Sequence, residues 1–235
     1  MSSDQLAVQR RTPYVETFDD GPGGWLAWER PGVNVLPEIN NGVITSRSPW
    51  GVDANHAPPG LGYLHLLAFL ITRASLVLDQ GRPNRFVDEG YSRDLTNARL
   101  TVRLRGKVEQ RGAELVLLAQ ADIPATRANY VLTGQPFRIA PDWSEQTLIL
   151  APDADQWACL GARHDRSHIY GCGDIGVLLH DVNVDLILVL FPLHIVPIQP
   201  VTDVDRLRPH REYEPDHHYL PEGEIHIDTV RLEYP

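Results

Sequence analysis

Ala98-Arg99-Leu100-Thr101-Val102-Arg103-Leu104-Arg105 alternates apolar and polar side chains along its whole length. Successive side chains of an extended chain point to opposite faces, so this is a strand with one dry and one wet face. Sheets with one wet face are antiparallel, and the octet therefore sets the expected fold class. Downstream, Ala113–Ala121 is almost continuously apolar, as an inner strand is, Gln146–Leu150 is another strand, and Val184–Phe191 is fully apolar. Residues 224–234 alternate through Ile225, Ile227, Val230, Leu232 and Tyr234; the phase slip after Ile227 predicts a bulge. Upstream, Tyr14–Phe18, Trp25–Glu29, Val33–Ile39 and Val43–Ser46 are short strand signals separated by turn residues. Among these, Asn41-Gly42 supplies the positive φ values of a tight hairpin. Leu64–Thr72 predicts a short helix, because Leu64, Leu67, Ala68 and Ile71 fit a 3.6-residue period, and Asp174–Leu179 predicts a second. There is no repeat and no regular βαβ alternation. The expected fold is all-β: an antiparallel jelly-roll β-sandwich with long functional loops and one or two short helices. Residues 1–12 read as a flexible tail and 13–235 as a single sandwich domain.

Composition narrows the function. The chain carries 31 Asp and Glu against 21 Lys and Arg, a net charge of −10. Nucleic acid and anionic membrane surfaces are therefore not the expected partners. Lys107 is the single lysine, which leaves amine nucleophiles one candidate. Neither G-x-x-x-x-G-K-[ST] nor G-x-G-x-x-G occurs, so no nucleotide cofactor is expected, and no G-x-S-x-G elbow occurs. The apolar stretches Leu64–Leu78 and Val184–Val196 contain His65 and Arg73, and Pro192 and His194, so neither reads as a membrane span. The polar first residues lack a signal-peptide core: the expectation is a cytoplasmic protein if Met1 is the natural start, and a secreted one if a signal peptide has been removed. Cys159 and Cys172 read as two buried thiols, with a single disulfide as the alternative in an exported chain.

Two ends of the chain resemble a known group. Glu16-Thr17-Phe18-Asp19-Asp20-Gly21, followed by Trp25, is similar to the opening strand of jelly-roll carbohydrate-binding modules. Ile227-Asp228-Thr229-Val230-Arg231-Leu232 is similar to their closing strand. The stretch Asp94–Gly106 resembles a middle strand of concanavalin-like and laminin-G-like sandwiches. The resemblance implies neighbouring first and last strands that share a structural Ca²⁺. Glu16, Asp19 and Asp228 would be its ligands, since hard carboxylate oxygens suit that ion.

Residues 47–63 form a long irregular stretch that holds Trp50, Asp53, Asn55, His56 and Tyr63 and is stiffened by Pro58-Pro59. Long loops of this kind are often functional. A second cluster, Arg163-His164-Asp165-Arg166-Ser167-His168-Ile169-Tyr170, combines a base, a phenol and guanidinium groups, the toolkit for proton abstraction beside a carboxylate. Together the two segments are expected to form a site for a glycan or small molecule. The leading expectation is a carbohydrate-processing lyase or hydrolase. His56, His65, His168 and Tyr170 are its acid/base candidates, Trp50, Asn55 and Tyr63 touch substrate, and Arg163 and Arg166 clamp it. Trp50 is expected to be the most exposed tryptophan. The alternatives are a non-catalytic carbohydrate-binding module and a structural sandwich. A third cluster, His210, His217 and His218 with Glu212, Glu214 and Asp216, matches no metal motif and reads as an acidic loop with metal binding as the alternative.

Overall fold

The computed structural model describes residues 10–30, 33–53, 63–76, 83–203 and 207–235. In chain order its strands are β1 (Tyr14–Glu16), β2 (Trp25–Arg30), β3 (Val33–Val35), β4 (Glu38–Asn40), β5 (Val43–Arg47), β6 (Val52–Asp53), β7 (Tyr63–Ile71), β8 (Arg99–Glu109), β9 (Glu114–Ile123), β10 (Thr126–Val131), β11 (Ser144–Ile149), β12 (Ala158–Cys159), β13 (Tyr170–Gly171), β14 (Asp185–Leu193) and β15 (Glu222–Glu233). Two short helices, α1 (Arg85–Asp88) and α2 (Ile175–His180), lie between them. The strands form two sheets. One runs β11-β8-β15-β5-β4, with β1 also on β15; the other runs β12-β10-β9-β14-β7-β2-β3, with β13 on β10 and β6 on β7. Every pairing within the named sheets is antiparallel except β10 with β13. The expected β-sandwich is the fold observed.

The octet that opened the sequence reading lies on β8, where Leu100, Val102 and Leu104 are buried. They join Ile225, Ile227, Val230 and Leu232 of β15 against Leu115 and Leu117 of β9 and Leu186, Leu188 and Leu190 of β14. This is the core between the sheets. The intervening residues of the second sheet build another apolar layer on its far side: Val116 and Leu118 of β9, Ile187, Val189 and Phe191 of β14, and Leu64, Leu66, Phe69 and Ile71 of β7. That sheet is dry on both faces, which accounts for its unbroken apolar strands. The predicted bulge is present, as a register shift between Ile227 and Thr229. The Asn41-Gly42 hairpin has both residues at positive φ, 50° and 72°.

Two expectations are corrected. Leu64–Thr72 is not a helix: Tyr63–Ile71 is strand β7, with all nine residues buried. Its apparent helical period arose because both faces of an inner strand are apolar, so periodicity does not discriminate. Cys159 and Cys172 are not thiols but a disulfide, with Cα atoms 5.8 Å apart. Register brings them together: Cys159 lies on β12 opposite Tyr130 of β10, and Cys172 follows Gly171, which pairs with Ala128 of the same strand. The predicted second helix is present as α2, capped by Asp174, whose carboxylate accepts from the Val177 amide at 3.0 Å. Val184–Phe191 is a central strand, β14, between β9 and β7. Within the stretch read as a tail, Arg10 and Arg11 are tied to Glu89 and Asp94 by ion pairs of 2.8 and 2.6 Å.

Candidate functional site

A cavity of about 330 Å³ opens where β5 ends and β15 begins. That is the lower end of the range for small-ligand sites. One wall is Ser48, Pro49 and Trp50; the other is His217, Leu220, Pro221 and Glu222; His65 reaches it from β7. Trp50 is not the exposed platform expected. It is 6% exposed, and its indole N–H donates to Ser46 Oγ at 2.9 Å. Polar sequence neighbours do not prevent a tryptophan from turning inward when a hydroxyl accepts its proton. His65 faces the same core, opposite Val52 of β6, its ring 5.8 Å from that of Trp50.

The chemistry of His65 follows from its single hydrogen bond. Nδ1 lies 3.0 Å from the carbonyl oxygen of Gly51. A carbonyl only accepts, so Nδ1 carries the proton and Nε2 keeps its lone pair. Nε2 is buried and has no hydrogen-bond partner. Burial, with His210 and His217 nearby, lowers the imidazole pKa to about 4, against the opposing pull of the Gly51 bond. At neutral pH the ring is uncharged and Nε2 is an acceptor.

The far wall is fixed in place. Arg111 Nη1 donates to the carbonyls of His217 and Leu220, both at 2.7 Å, while Nη2 meets Glu109 and Glu222 at 3.1 and 3.4 Å. Asp216 donates its amide to Val196 and accepts from the His218 amide and ring. Glu214 accepts from His210 Nδ1 at 2.8 Å and lies 3.6 Å from His217 Nε2. Of the third histidine cluster of the sequence, His217 lines the cavity and the others pair behind it. Among the described residues, no group of three His, Cys, Asp or Glu side chains is disposed to hold a metal ion.

The other half of the expected site lies elsewhere. On β10, Ala128 faces the inter-sheet core, so Arg127 faces the opposite side. Arg127 donates to both oxygens of Asp122, at 2.7 and 3.2 Å, and Arg73 adds a third bond at 2.6 Å. Arg127 foremost, with Arg73, holds the Asp122 carboxyl below the usual carboxylate range despite its partial burial. Tyr170, paired with Arg127 across β13 and β10, has its phenol pushed up by burial and by Asp53. The loop leading to it is closed by the disulfide and held by Asn129, which donates to Gly161 and Gly171, both at 3.1 Å. Arg163 is 2% exposed and ion-paired with Asp165 of its own loop. Arg166 is half-buried and caps a turn through its backbone, and His168 is exposed. Tyr170 and the 163–170 segment therefore do not converge on His65, which lies on the inner face of the sheet.

Asn55 and His56 lie outside the described residues, and Tyr63 is buried at the start of β7. The three carboxylates implied for calcium have separate partners. Glu16 is fully buried; its Oε1 accepts from the Phe18 amide and lies 3.6 Å from Arg85. Asp19 accepts from Thr17 in an exposed turn. Asp228 is bonded to Arg103 at 2.7 Å. Glu16 Oε2 is a buried atom without a hydrogen-bond partner, but one such oxygen falls far short of the six to eight that Ca²⁺ takes.

Sequence reasoning found Trp50 and His65 and missed what they face. Ser48, Leu220 and Glu222 carry no motif, and Arg111 was not singled out; only the β15–β5 register brings these segments together. No protein-family model and no curated protein matches the chain. Among solved structures, the chain is similar to the L4b domain of human laminin alpha-2, at 6% identity and a TM-score of 0.42, over 96% of this chain and 99% of that one.

Proposed function

We propose that the chain is a non-catalytic binding domain whose cavity between Trp50, His65 and His217 receives the end of a glycan. The observation that carries this reading is His65: an acceptor nitrogen, fixed in one tautomer by Gly51, beside a cavity of small-ligand size. Aromatic surface next to a small number of fixed polar groups suits a sugar hydroxyl. Catalysis is disfavoured because an imidazole with a pKa of about 4 is a weak base at neutral pH. Among the other described candidates, Tyr170 lies on the opposite side of the sheet, Arg163 is ion-paired within its own loop, and His168 and Arg166 belong to that loop and do not line the cavity. The disulfide supports placement in an oxidising compartment. No helix among the described residues is long and apolar enough to cross a membrane.

The test is a mass-spectrometric time course with a pool of neutral, amino and uronic-acid oligosaccharides, run beside a retention assay on immobilised protein. Retention without new products is expected, and it should be lost in His65→Phe, which removes the acceptor at similar volume. New products would overturn the non-catalytic reading. Neither products nor retention would overturn the glycan reading.

A further inference from the structure

Resting on that glycan-binding reading, we propose that the sugar unit taken by the cavity carries a free amine and is held there as an ammonium ion. The polar groups around the cavity are arranged to accept rather than to donate. His65 Nε2 offers a lone pair and has no partner. Glu222 contributes a carboxylate at the rim. Most donors near the opening are already occupied: Trp50 Nε1 by Ser46, and the Arg111 guanidinium by two carbonyls and two carboxylates, while the Ser48 hydroxyl, which accepts from the Gly223 amide at 3.0 Å, keeps one proton to give. A ligand that needs donors finds few; a ligand that brings them finds acceptors.

Charge points the same way. Glu222 is the carboxylate that lines the cavity; Glu109 shares Arg111 with it, and Glu214 and Asp216 lie on the loop that leads into His217, Glu214 paired with His210 and 3.6 Å from His217 and Asp216 paired with His218. The chain as a whole is acidic, at −10. A carboxylate or sulfate ligand would meet Glu222 and be repelled, whereas an ammonium is drawn in. The Trp50 ring adds aromatic surface of the kind that attracts cations. Inside, a cation beside His65 favours the neutral imidazole, so ligand and acceptor stabilise the same protonation state. A neutral hydroxyl would use the Nε2 lone pair but gain little from the carboxylates.

The test is a calorimetric titration of the full chain at neutral pH with three trisaccharides of one linkage: glucosamine, N-acetylglucosamine and glucose. n-Butylamine serves as an amine without a sugar. The glucosamine trimer is expected to bind about tenfold more tightly than either of the others. Glu222→Gln, an exposed and isosteric change, is expected to remove most of that preference while leaving the melting temperature unchanged. Equal binding of the three sugars, or preference for the acetylated one, overturns the ammonium proposal and leaves the glycan reading standing. Butylamine bound as tightly as the amino sugar overturns the glycan reading and keeps the ammonium. No binding by any of the four overturns both.

Discussion

The two sheets use the same backbone ladder under opposite solvent conditions. On the six-stranded sheet, the outward residues of β8, β15 and β5 make polar pairs, all but Thr101 at least partly exposed: Arg103 with Asp228, Arg47 with Glu224, Thr101 with Thr147, Thr45 with His226. Arg103 and Arg105 also lie over the Trp143 ring, each 4.8 Å from its centroid. On the nine-stranded sheet, the equivalent positions of β7, β9 and β14 form a second apolar layer, and charge appears at the strand ends, as Glu114 at one end of β9 and the Asp122–Arg127–Arg73 cluster at the other. Outward-facing residues should therefore be nearly neutral to change on one sheet and costly on the other. The cavity belongs to the inner side of both, at the seam where β5 and β15 meet the His65 end of β7.

The sharpest way to break this contrast is to truncate one outward residue on each sheet. Leu118→Ala, on the nine-stranded sheet at 0% exposure, is expected to cost about 2–5 kcal/mol in urea unfolding. A cost below about 1 kcal/mol would mean that the second apolar layer is not a core. Next in size is the disulfide that pins the loop beside β10. Reduction, or Cys159→Ala with Cys172→Ala, should cost about 3 kcal/mol for a loop of this length, read as a lower melting temperature.

Acid gives a third comparison, between a buried group on the seam and a pair nearer the surface. The unfolded His65 ring takes up a proton near pH 6.5 and the folded one only near about 4. Between those values the unfolded state binds more protons, so stability falls as pH falls and is fully present above about 6.5. The loss should reach at most about 3 kcal/mol, and His65→Phe should flatten that part of the curve. Asp122 acts at lower pH. Its folded pKa is depressed, so its contribution is present above the unfolded carboxylate pKa and is lost as pH falls through the folded one. Its side chain is 36% exposed, so Asp122→Asn should cost only about 1 kcal/mol, with the cost vanishing in acid. Smallest of all, Arg103→Ala on the wet sheet should shift stability by no more than about 1 kcal/mol, less in high salt. A larger loss there would show that the Trp143 stack is structural.

The same contrast explains what was legible in the sequence. β8 and β15 announced themselves, bulge included, because water on one face forces alternation on the residues. β7 did not, because a strand apolar on both faces carries no period of its own; Leu64, Leu67, Ala68 and Ile71 matched a helix by coincidence of spacing. The disulfide was not legible either, since a separation of 13 residues fixes no distance until β12 and β13 pair with the same strand. Of the candidate site, Trp50 and His65 were visible as residue types. Their partner His217 was noticed only as a member of a polar loop, because the contact that matters spans most of the chain. Arg163 looked like a clamp by composition, and burial with Asp165 assigned it to its own loop.

The placement of β15 bears on how the molecule is made. Residues 222–233 lie between β8 on one side and β1 and β5 on the other, so a segment translated after every other described strand holds the middle of the six-stranded sheet. Until it leaves the ribosome, the β8–β11 pair and the β4–β5 hairpin have no common partner strand, and the apolar sides of both are open to other chains. Assembly of that sheet thus waits for residues 222–233, and a nascent chain stalled before residue 222 presents two unpaired edges to whatever chaperone or neighbour reaches them first.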